Sequence, residues 1–321
     1  MSEVSDAAKA LLELEAAAQG AAVRVSALQG GWFTLPKRLF VSGAPGDEKS
    51  RVPSLAFLVQ YSAPNKNKNK NRLLLFDLGL RRDPQAYTPQ IQRHLGNRQP
   101  MQFQPDVRQS LEAGGLDPST IDAVILSHVH WDHIGTPSDY PQAKFWIGAG
   151  SLALTRHGLN GHMSHSNFQE DLFDGVDAQE FSDPDNANTN AGTTLWRRAA
   201  GLSILDFSEN GTVYIVNTPG HLTGHISLLA RVGECRWVLL VGDACHDHRL
   251  LTGEASIAEW KDNEGRVCCI HMDKALATET LGKFREWRTA AADVGIELQI
   301  VLAHDAEWAA HHAGAFFPGA I

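Results

Sequence analysis

A short cluster, Ser127-His128-Val129-His130-Trp131-Asp132-His133, holds the residues with the clearest chemical potential. Three imidazoles and one carboxylate fall within six positions, a density that packing does not explain. Imidazole nitrogens and carboxylate oxygens are ligands for Zn²⁺ and other borderline divalent metals. On a tight loop His128 and His130 can face one way, while Asp132 and His133 offer a second direction. The cluster therefore predicts two adjacent metal positions.

Three further metal-binding groups stand singly, each directly after a predicted strand. They are His221, Asp243 and His304, which follow strands predicted over residues 212–216, 236–241 and 299–303. Each signal is weak alone, because a lone histidine is more often structural than a ligand. Groups at strand ends converge at one edge of an α/β sheet, where such folds build their sites. Together these residues predict one shared site with the cluster.

Hydrophobic periodicity predicts the elements that must position these groups. Apolar runs typical of buried strands include Ser54–Tyr61, Arg72–Asp77 and Ile121–Leu126. Further strands are predicted over residues 143–147, 202–207, 225–231 and those named above, and helices over 5–18, 84–97, 107–114 and 275–291. The strands come in two groups that each end in helices. This order suits two packed sheets with helices outside, in one domain.

We expect residues 1–321 to form that one domain, with two less regular segments. Residues 1–50 are expected to form a helix and then a loop, in which residues 30–36, Gly-Gly-Trp-Phe-Thr-Leu-Pro, form an aromatic loop. Residues 158–200 are rich in Gly, Asn, Asp and Ser and lack a clear period. Loops of this length are uncommon inside domains and usually serve function, so we expect a lid-like insertion there.

Composition narrows the classes of function. The chain has 28 Lys and Arg against 37 Asp and Glu, a formal net charge of −9, which argues against nucleic acid as a partner. It contains no apolar run of membrane-spanning length, and its first residues carry acids where a signal peptide carries bases. Four cysteines make no disulfide framework. We therefore expect a cytoplasmic protein that does not bind membranes, as a monomer or homodimer.

The ordered set of motifs resembles the metallo-β-lactamase superfamily. The H-x-H-x-D-H signature of that family matches residues 128–133, P-G-H-x-x-G-H matches 219–225, and F-D-x-G matches 76–79. A G-D turn at residues 242–243 and the late His304 complete the match. The resemblance implies an αββα sandwich, in which two mixed sheets pack face to face with helices outside. It also implies a dinuclear metal site in the cleft between the sheets.

The same resemblance assigns ligands to two divalent ions, with Zn²⁺ preferred and Mn²⁺ or Fe²⁺ as alternatives. It implies that the first ion is held by His128, His130 and His221, the second by Asp132, His133 and His304, and that Asp243 bridges them. Asp77 and His225 would orient ligand imidazoles through hydrogen bonds. The alternative for Asp77 is that it only ends a strand.

Three segments, LSHVHWDHIGTPSDYP, VGDACHDHRLLTGE and LAHDAEW, are most similar to the quorum-quenching lactonases and their fungal relatives. Acyl-homoserine lactonases typically place a tyrosine three positions after the bridging aspartate, where this chain has His246. This difference argues against acyl-homoserine lactones as the substrate. The resemblance implies a zinc-dependent hydrolase, with a detoxifying role, that opens a small lactone, lactam or carbamate of plant or fungal origin.

In the mechanism that these residues suggest, a hydroxide bridging the two metals attacks the ring carbonyl. Asp132 is then both a ligand and a proton shuttle. His246 either assists the oxyanion or leaving group, or is a solvated loop histidine. The predicted pocket residues are Trp32, Phe33, Leu251 and Trp260, although Trp32 and Phe33 could equally pack their loop on the body. His157, His162 and His165 either cap the cleft or face solvent.

Two other functions remain open. A thioesterase or glyoxalase II-like hydrolase would use the same ligands, although no basic cluster for a phosphorylated carrier stands near the motifs. A catalytically inert metal-binding protein of the same fold would keep the ligands without turnover. The intact set of seven ligand residues argues against the inert protein.

Overall fold

The structure, a computed structural model, describes residues 4–63, 70–159, 167–184 and 196–321. One sheet contains β1 (Arg24–Pro36), β2 (Lys49–Ala63), β3 (Lys70–Phe76), β4 (Ala123–Ile125), β5 (Lys144–Ile147) and β6 (Asp177–Glu180). The later strands are β7 (Arg197–Ala199), β8 (Leu202–Asp206), β9 (Val213–Asn217), β10 (Ile226–Gly233), β11 (Arg236–Leu240), β12 (Trp260–Lys261), β13 (Val267–Cys268) and β14 (Glu297–Val301). The helices are α1 (Asp6–Ala17), α2 (Pro89–Leu95), α3 (Val107–Ala113), α4 (Ser151–His157), α5 (His248–Thr252), α6 (Lys274–Asp293) and α7 (Ala306–His311).

Two mixed six-stranded sheets form the body of the molecule. The first has the order β1-β2-β3-β4-β5-β6, antiparallel from β1 to β3 and parallel from β3 to β6. The second has the order β14-β11-β10-β9-β8-β7, and only β14 and β11 run parallel. Strands β12 and β13 form a separate small hairpin.

The core has one layer between the sheets and others beneath the helices. Leu55 and Phe57 of β2 cluster with Leu228 of β10, so the two sheets pack face to face. Alternate strand residues point to opposite faces. Leu58 accordingly belongs to the cluster that contains the buried residues of α1 and α6, such as Phe284. The predicted αββα sandwich is confirmed. Among the described residues, no helix is long and apolar enough to cross a bilayer.

The prediction of a loop over residues 30–36 was wrong, because this segment belongs to strand β1. Its register against β2 shifts between Gln29 and Trp32, which marks a β-bulge. A Cβ on Gly30 would lie 2.8 Å from the Cα atom of Gly79 and closer still to the carbonyl oxygen of Ser54. The glycines therefore allow a close approach of two backbones inside a sheet, rather than a flexible turn.

The predicted insertion at residues 158–200 is more regular than its composition indicates. Its described part includes β6, which ends the first sheet, and β7, which ends the second. Phe168 stacks on His130 with ring centroids 5.8 Å apart, so part of the segment reaches the metal-ligand cluster. His157 ends α4, whereas His162 and His165 lie outside the described residues. Its role as a lid stays a prediction.

Glu15 of helix α1 forms an ion pair and hydrogen bonds with residues of the second sheet, and these contacts are largely shielded from solvent. The carboxylate of Glu15 accepts hydrogen bonds from Arg231 Nε at 2.9 Å, Trp237 Nε1 at 2.8 Å and the N–H of Cys235 at 3.0 Å. The hydrogen bond from Arg231 lowers the pKa of Glu15 to about 2. Helix α1 is thus part of the sandwich.

Replacing Glu15 with glutamine is expected to lower the free energy of unfolding at pH 7 by about 1–3 kcal/mol. The pKa of Glu15 lies lower in the folded protein than in the unfolded chain. Its ionic contribution is therefore complete above about pH 4.5 and is lost as the pH falls toward 2. Denaturant titrations should show the difference between wild type and variant shrinking in acid. A difference that is independent of pH would contradict this reading. Glu13→Gln, exposed on the same helix, is the control.

Candidate metal centre

Residues 127–133 form a compact loop directly after β4, and neighbouring elements fix its backbone. The N–H of Leu78 donates to the carbonyl of His133 at 2.8 Å, and the hydroxyl of Tyr87 donates to the carbonyl of Trp131 at 2.8 Å. Within the loop the N–H of His133 donates to the carbonyl of His130 at 3.1 Å, closing a turn. The turn lets ligands that are close in sequence point in two directions, as predicted.

The first ligand group combines two residues of this loop with two from the second sheet. Nδ1 of His130 lies 2.9 Å from Nε2 of His128 and 3.1 Å from Nε2 of His221, which follows β9. Oδ2 of Asp243, which follows β11, lies 3.7 Å from His128 Nε2 and 3.5 Å from His221 Nε2. All four ligand atoms lie within 4.8 Å of one another.

The second ligand group contains Asp132, His133, Asp243 and His304. Oδ1 of Asp243 lies 3.2 Å from Nε2 of His133 and 3.1 Å from Nε2 of His304. Nε2 of His304 lies 3.5 Å from Oδ2 of Asp132. The ligand atoms of this group also lie within 4.8 Å of one another. Asp243 turns one carboxylate oxygen toward each group, which is the arrangement of a bridging ligand.

Several ligand atoms of the second group are buried and unsatisfied. Nε2 of His133 and Nε2 of His304 lie 3.2 and 3.1 Å from Oδ1 of Asp243 but without hydrogen-bond geometry, so these three atoms have no hydrogen-bond partner within the described part of the chain. Leaving a buried polar atom unpaired costs about 1–3 kcal/mol. Nitrogen and carboxylate donors converging from strand ends and left without hydrogen bonds fit a pair of divalent cations of the zinc type.

The electrostatics of the first ligand group suit cation binding directly. Burial lowers the pKa of His128 and of His221 well below the ordinary value, so both imidazoles are neutral. Burial alone would raise the pKa of Asp243, but His133 and His304 hold it well below its usual range. Neutral imidazoles and an ionised carboxylate are the states in which these side chains bind metals. In the second group, burial lowers the pKa of His133 and of His304 but Asp243 raises both, so these imidazoles release protons when a cation binds.

Asp77, at the end of β3, holds the loop of residues 127–133 in place through hydrogen bonds. Its carboxylate accepts hydrogen bonds from the N–H of Ser127 at 2.7 Å, from Ser127 Oγ at 2.8 Å and from Nδ1 of His133 at 2.9 Å. Ser127 Oγ in turn lies 3.0 Å from Nδ1 of His128. Because these bonds occupy Nδ1, the Nε2 atoms of His128 and His133 face Asp243. Asp77 therefore does more than end a strand.

His225 positions the backbone of Asp243, the residue that the two ligand groups share. Its Nδ1 donates to the carbonyl of Thr218 at 3.0 Å, and its Nε2 accepts the backbone N–H of Asp243 at 3.2 Å. Burial lowers the pKa of His225 to about 4, which keeps Nε2 available as an acceptor. His304 is held in a similar way, because its Nδ1 donates to the carbonyl of Pro53 at 2.9 Å.

Replacing Asp77 with asparagine is expected to lower metal affinity by about 10–100-fold, the usual effect of removing a group that orients a ligand. Asparagine tolerates the positive φ of 61° at this position, so the backbone is spared. Competition with a zinc chelator measures the affinity. Asp262→Asn, on a surface loop far along the chain, provides the comparison. Equal affinities for the two variants would contradict the role given to Asp77.

A narrow cleft opens over the ligand groups. Its volume is about 20 Å³, room for about one water. The predicted Phe33 lines it, with its ring centroid 5.0 Å from that of His304. His246 also lines it: its Nε2 lies 3.1 Å from Oδ2 of Asp243, its ring packs on Phe40, and its side chain is 2% exposed. His246 is therefore not a solvated loop histidine.

Three predicted pocket residues do not line this cleft. Trp32 lies on the other face of β1 from Phe33, because successive strand residues alternate, and it stacks under the guanidinium of Arg51 at 5.1 Å. Leu251 is buried in the core beside α6 rather than at the cleft, and Trp260 is half-buried in the small hairpin. The lining residues that sequence reasoning missed are Leu35, Phe40, Arg98, Trp131 and Ile270. Strand alternation places Leu35 on the same face as Phe33, so Leu35 could have been predicted if this segment had been identified as a strand.

The sequence of the chain is similar to parts of two longer fungal proteins. The "Cytochrome P450 monooxygenase mpaDE'" of Penicillium brevicompactum is 26% identical over 290 residues, 84% of this chain and 32% of that protein. Gamma-lactamase FDB1 of Fusarium pseudograminearum is 29% identical over 209 residues, 63% of this chain and 47% of that protein. The chain thus spans 32% and 47% of the length of these two curated relatives.

A solved structure of a quorum-quenching N-acyl homoserine lactone lactonase superposes with a TM-score of 0.62 at 16% identity, covering 94% of this chain and 100% of the lactonase. This likeness concerns the fold. The sequence profile described as Metallo-beta-lactamase superfamily matches residues 51–255, well over half of the chain. The chain, with its sandwich fold and its two ligand groups joined at Asp243, belongs to the metallo-beta-lactamase superfamily of hydrolases.

Proposed function

We propose that this protein opens a small cyclic ester or amide, a lactone, lactam or carbamate, by hydrolysis at a dinuclear zinc centre. The observation that carries the proposal is the position of Asp243, whose two oxygens face two complete ligand groups at the floor of one cleft. The names of a gamma-lactamase and a lactonase among the similar proteins support the class of substrate.

The chain supplies the ligands and the groups that handle protons. The two ligand groups would hold two divalent cations, which would supply Lewis acidity toward the substrate carbonyl and lower the pKa of a bound water. The carboxylate of Asp132 lies at the cleft wall, 3.5 Å from His304, where it can take the proton of the attacking water. Phe33 and Phe40 give the cleft apolar walls, which strengthen the electrostatic interactions inside it.

We assign His246 the role of a hydrogen-bond donor to the substrate oxygen that gains negative charge in the transition state. It stands on the cleft wall beside Asp243, and its Nδ1 is buried with no hydrogen-bond partner among the residues that the structure describes. A donor aimed at developing charge typically contributes about 10²–10³-fold to the rate. The tyrosine of acyl-homoserine lactonases is thus replaced by another group able to donate a hydrogen bond.

His246→Ala is expected to lower kcat by about 10²-fold while two metals per chain remain bound, because His246 belongs to neither ligand group. Metal analysis and steady-state kinetics on the same preparation measure both quantities. His311→Ala, an exposed histidine on α7, is the matched control. An unchanged kcat, or loss of metal from the His246 variant, would remove this assignment.

A panel of lactones, lactams and acyl thioesters tests the proposed function as a whole. We expect kcat/KM for the best cyclic substrate to exceed that for thioesters by at least about 10²-fold, a difference of about 2.7 kcal/mol in transition-state binding. A preference for thioesters would favour a glyoxalase II-like hydrolase. Full metal occupancy without hydrolysis of any panel member would favour an inert metal-binding protein.

A further inference from the structure

The cleft over the ligand groups is too small for an organic substrate, but a larger cavity adjoins it. This second cavity, called here the side cavity, has a volume of about 400 Å³, within the range of small-molecule sites. Four residues, Leu35, Phe40, His246 and His304, line both spaces. A molecule whose reacting bond reaches the ligand groups can therefore extend past His246 into the side cavity.

The walls of the side cavity favour a neutral, partly apolar body. Val41, Val52 and Leu302 are apolar residues of its lining. Two cations that line the cavity are already paired: Lys37 Nζ lies 3.0 Å from Glu48, and Arg249 Nε lies 2.9 Å from Asp247. A carboxylate or phosphate on the ligand would compete with these bonds and face the further acids that line the cavity, Asp305 and Glu307.

His248, whose side chain is 48% exposed, is held in this wall by a hydrogen bond to a buried carboxylate. Nε2 of His248 donates to Oδ2 of Asp305 at 2.7 Å, and the side chain of Asp305 is 2% exposed. Oδ1 of Asp305 accepts the N–H of Trp308 at 2.8 Å as the cap of α7, so the carboxylate cannot turn away. Nδ1 of His248 has no hydrogen-bond partner among residues 4–63, 70–159, 167–184 and 196–321, so it is open to a ligand. A hydroxyl suits it, because a hydroxyl can both donate and accept.

We propose that the side cavity holds the body of the cyclic substrate and that His248 selects substrates with a hydroxyl group remote from the ring that is opened. The expected substrate is a neutral lactone or lactam carrying an aryl or similar apolar substituent that ends in a hydroxyl. This inference rests on the proposed hydrolysis and adds to it the class of substrate.

Three matched substrates test it: γ-butyrolactone, its γ-phenyl derivative and its γ-(4-hydroxyphenyl) derivative. For the wild type we expect kcat/KM to rise about tenfold when the phenyl group is added, through apolar burial. A further rise of about tenfold is expected with the hydroxyl, through a hydrogen bond to a fixed partner. His248→Leu should abolish the gain from the hydroxyl and leave the other two substrates within about twofold.

A second variant fills the cavity without touching His248. Ser50 lines the side cavity and is half-buried on β2. Ser50→Phe should remove the gains from both substituents while γ-butyrolactone is still hydrolysed at the wild-type rate. Ser62→Phe, the same change at the far end of β2, is the control and should alter none of the three rates. Thermal unfolding of each variant verifies that it is folded.

The outcomes separate this inference from the proposed function. Variants that lower kcat/KM equally for all three lactones, or a wild type indifferent to the substituents, would overturn the role of the side cavity while hydrolysis stands. A metal-loaded wild type that hydrolyses none of the three would overturn the proposed function, and this inference with it.

Discussion

Asp243→Ala is expected to empty both metal positions and to lower kcat/KM by at least about 10³-fold. Among the described residues, Asp243 is the one member that the two ligand groups share. Its removal leaves each group with three ligands and takes away the carboxylate that offsets the charge of two cations. Elemental analysis of dialysed protein and hydrolysis of the best lactone give the two readouts.

The fold should survive the loss of Asp243. The residue lies in a short turn after β11, and its backbone N–H can keep its bond to His225 when the side chain is gone. Circular dichroism and the unfolding transition verify this. Asp262→Ala, a surface carboxylate paired only with its neighbours in the hairpin, should keep both metals. Two retained metals with wild-type turnover in Asp243→Ala would refute the bridging role.

His130→Ala and His304→Ala are expected to empty one position each, a contrast that follows from their separate groups. His130 belongs only to the first group, and His304 only to the second. Metal content should fall from two per chain to one in both variants, and kcat/KM by at least about 10²-fold, because both cations act on the reaction. Bound metal should also stabilise the fold, since a ligand present at 1,000 times its Kd contributes about 4 kcal/mol to the free energy of unfolding.

Zinc-dependent stabilisation distinguishes the two variants from the wild type further. Each variant should keep one zinc-dependent rise in the unfolding midpoint, whereas Asp243→Ala should show none. Wild-type stoichiometry in either single variant would show that its histidine is not a ligand. A complete loss of metal from both would show one cooperative site instead of two groups.

The ligand residues were predictable because the chain concentrates them in short motifs at strand ends. His128 to His133 follow one short buried strand, and single groups follow three other strands. The ends of β9, β11 and β14 meet at one edge of the second sheet. The packing of the two sheets brings the loop after β4 to the same edge. The hydrogen bonds of Asp77 and His225 also match their predicted orienting roles, since each lies in a motif that the resemblance supplied.

The pocket and the edge strands were not predictable in the same way. Whether Phe33 or its neighbour Trp32 faces the cleft depends on the register of β1, and the bulge at Gly30 sets that register. Strand β6, with the sequence DAQE, is half exposed and carries no apolar alternation, so its pairing with β5 is a tertiary effect. The burial of His246 likewise depends on Phe40, which a distant segment supplies.

The most direct test of the dinuclear centre is a crystal structure of zinc-loaded protein, with diffraction measured on both sides of the zinc absorption edge. We predict two anomalous peaks about 3.5–4 Å apart that share Asp243, one beside His130 and the other beside His304. A single peak, or zinc bound away from Asp243, would contradict the dinuclear centre.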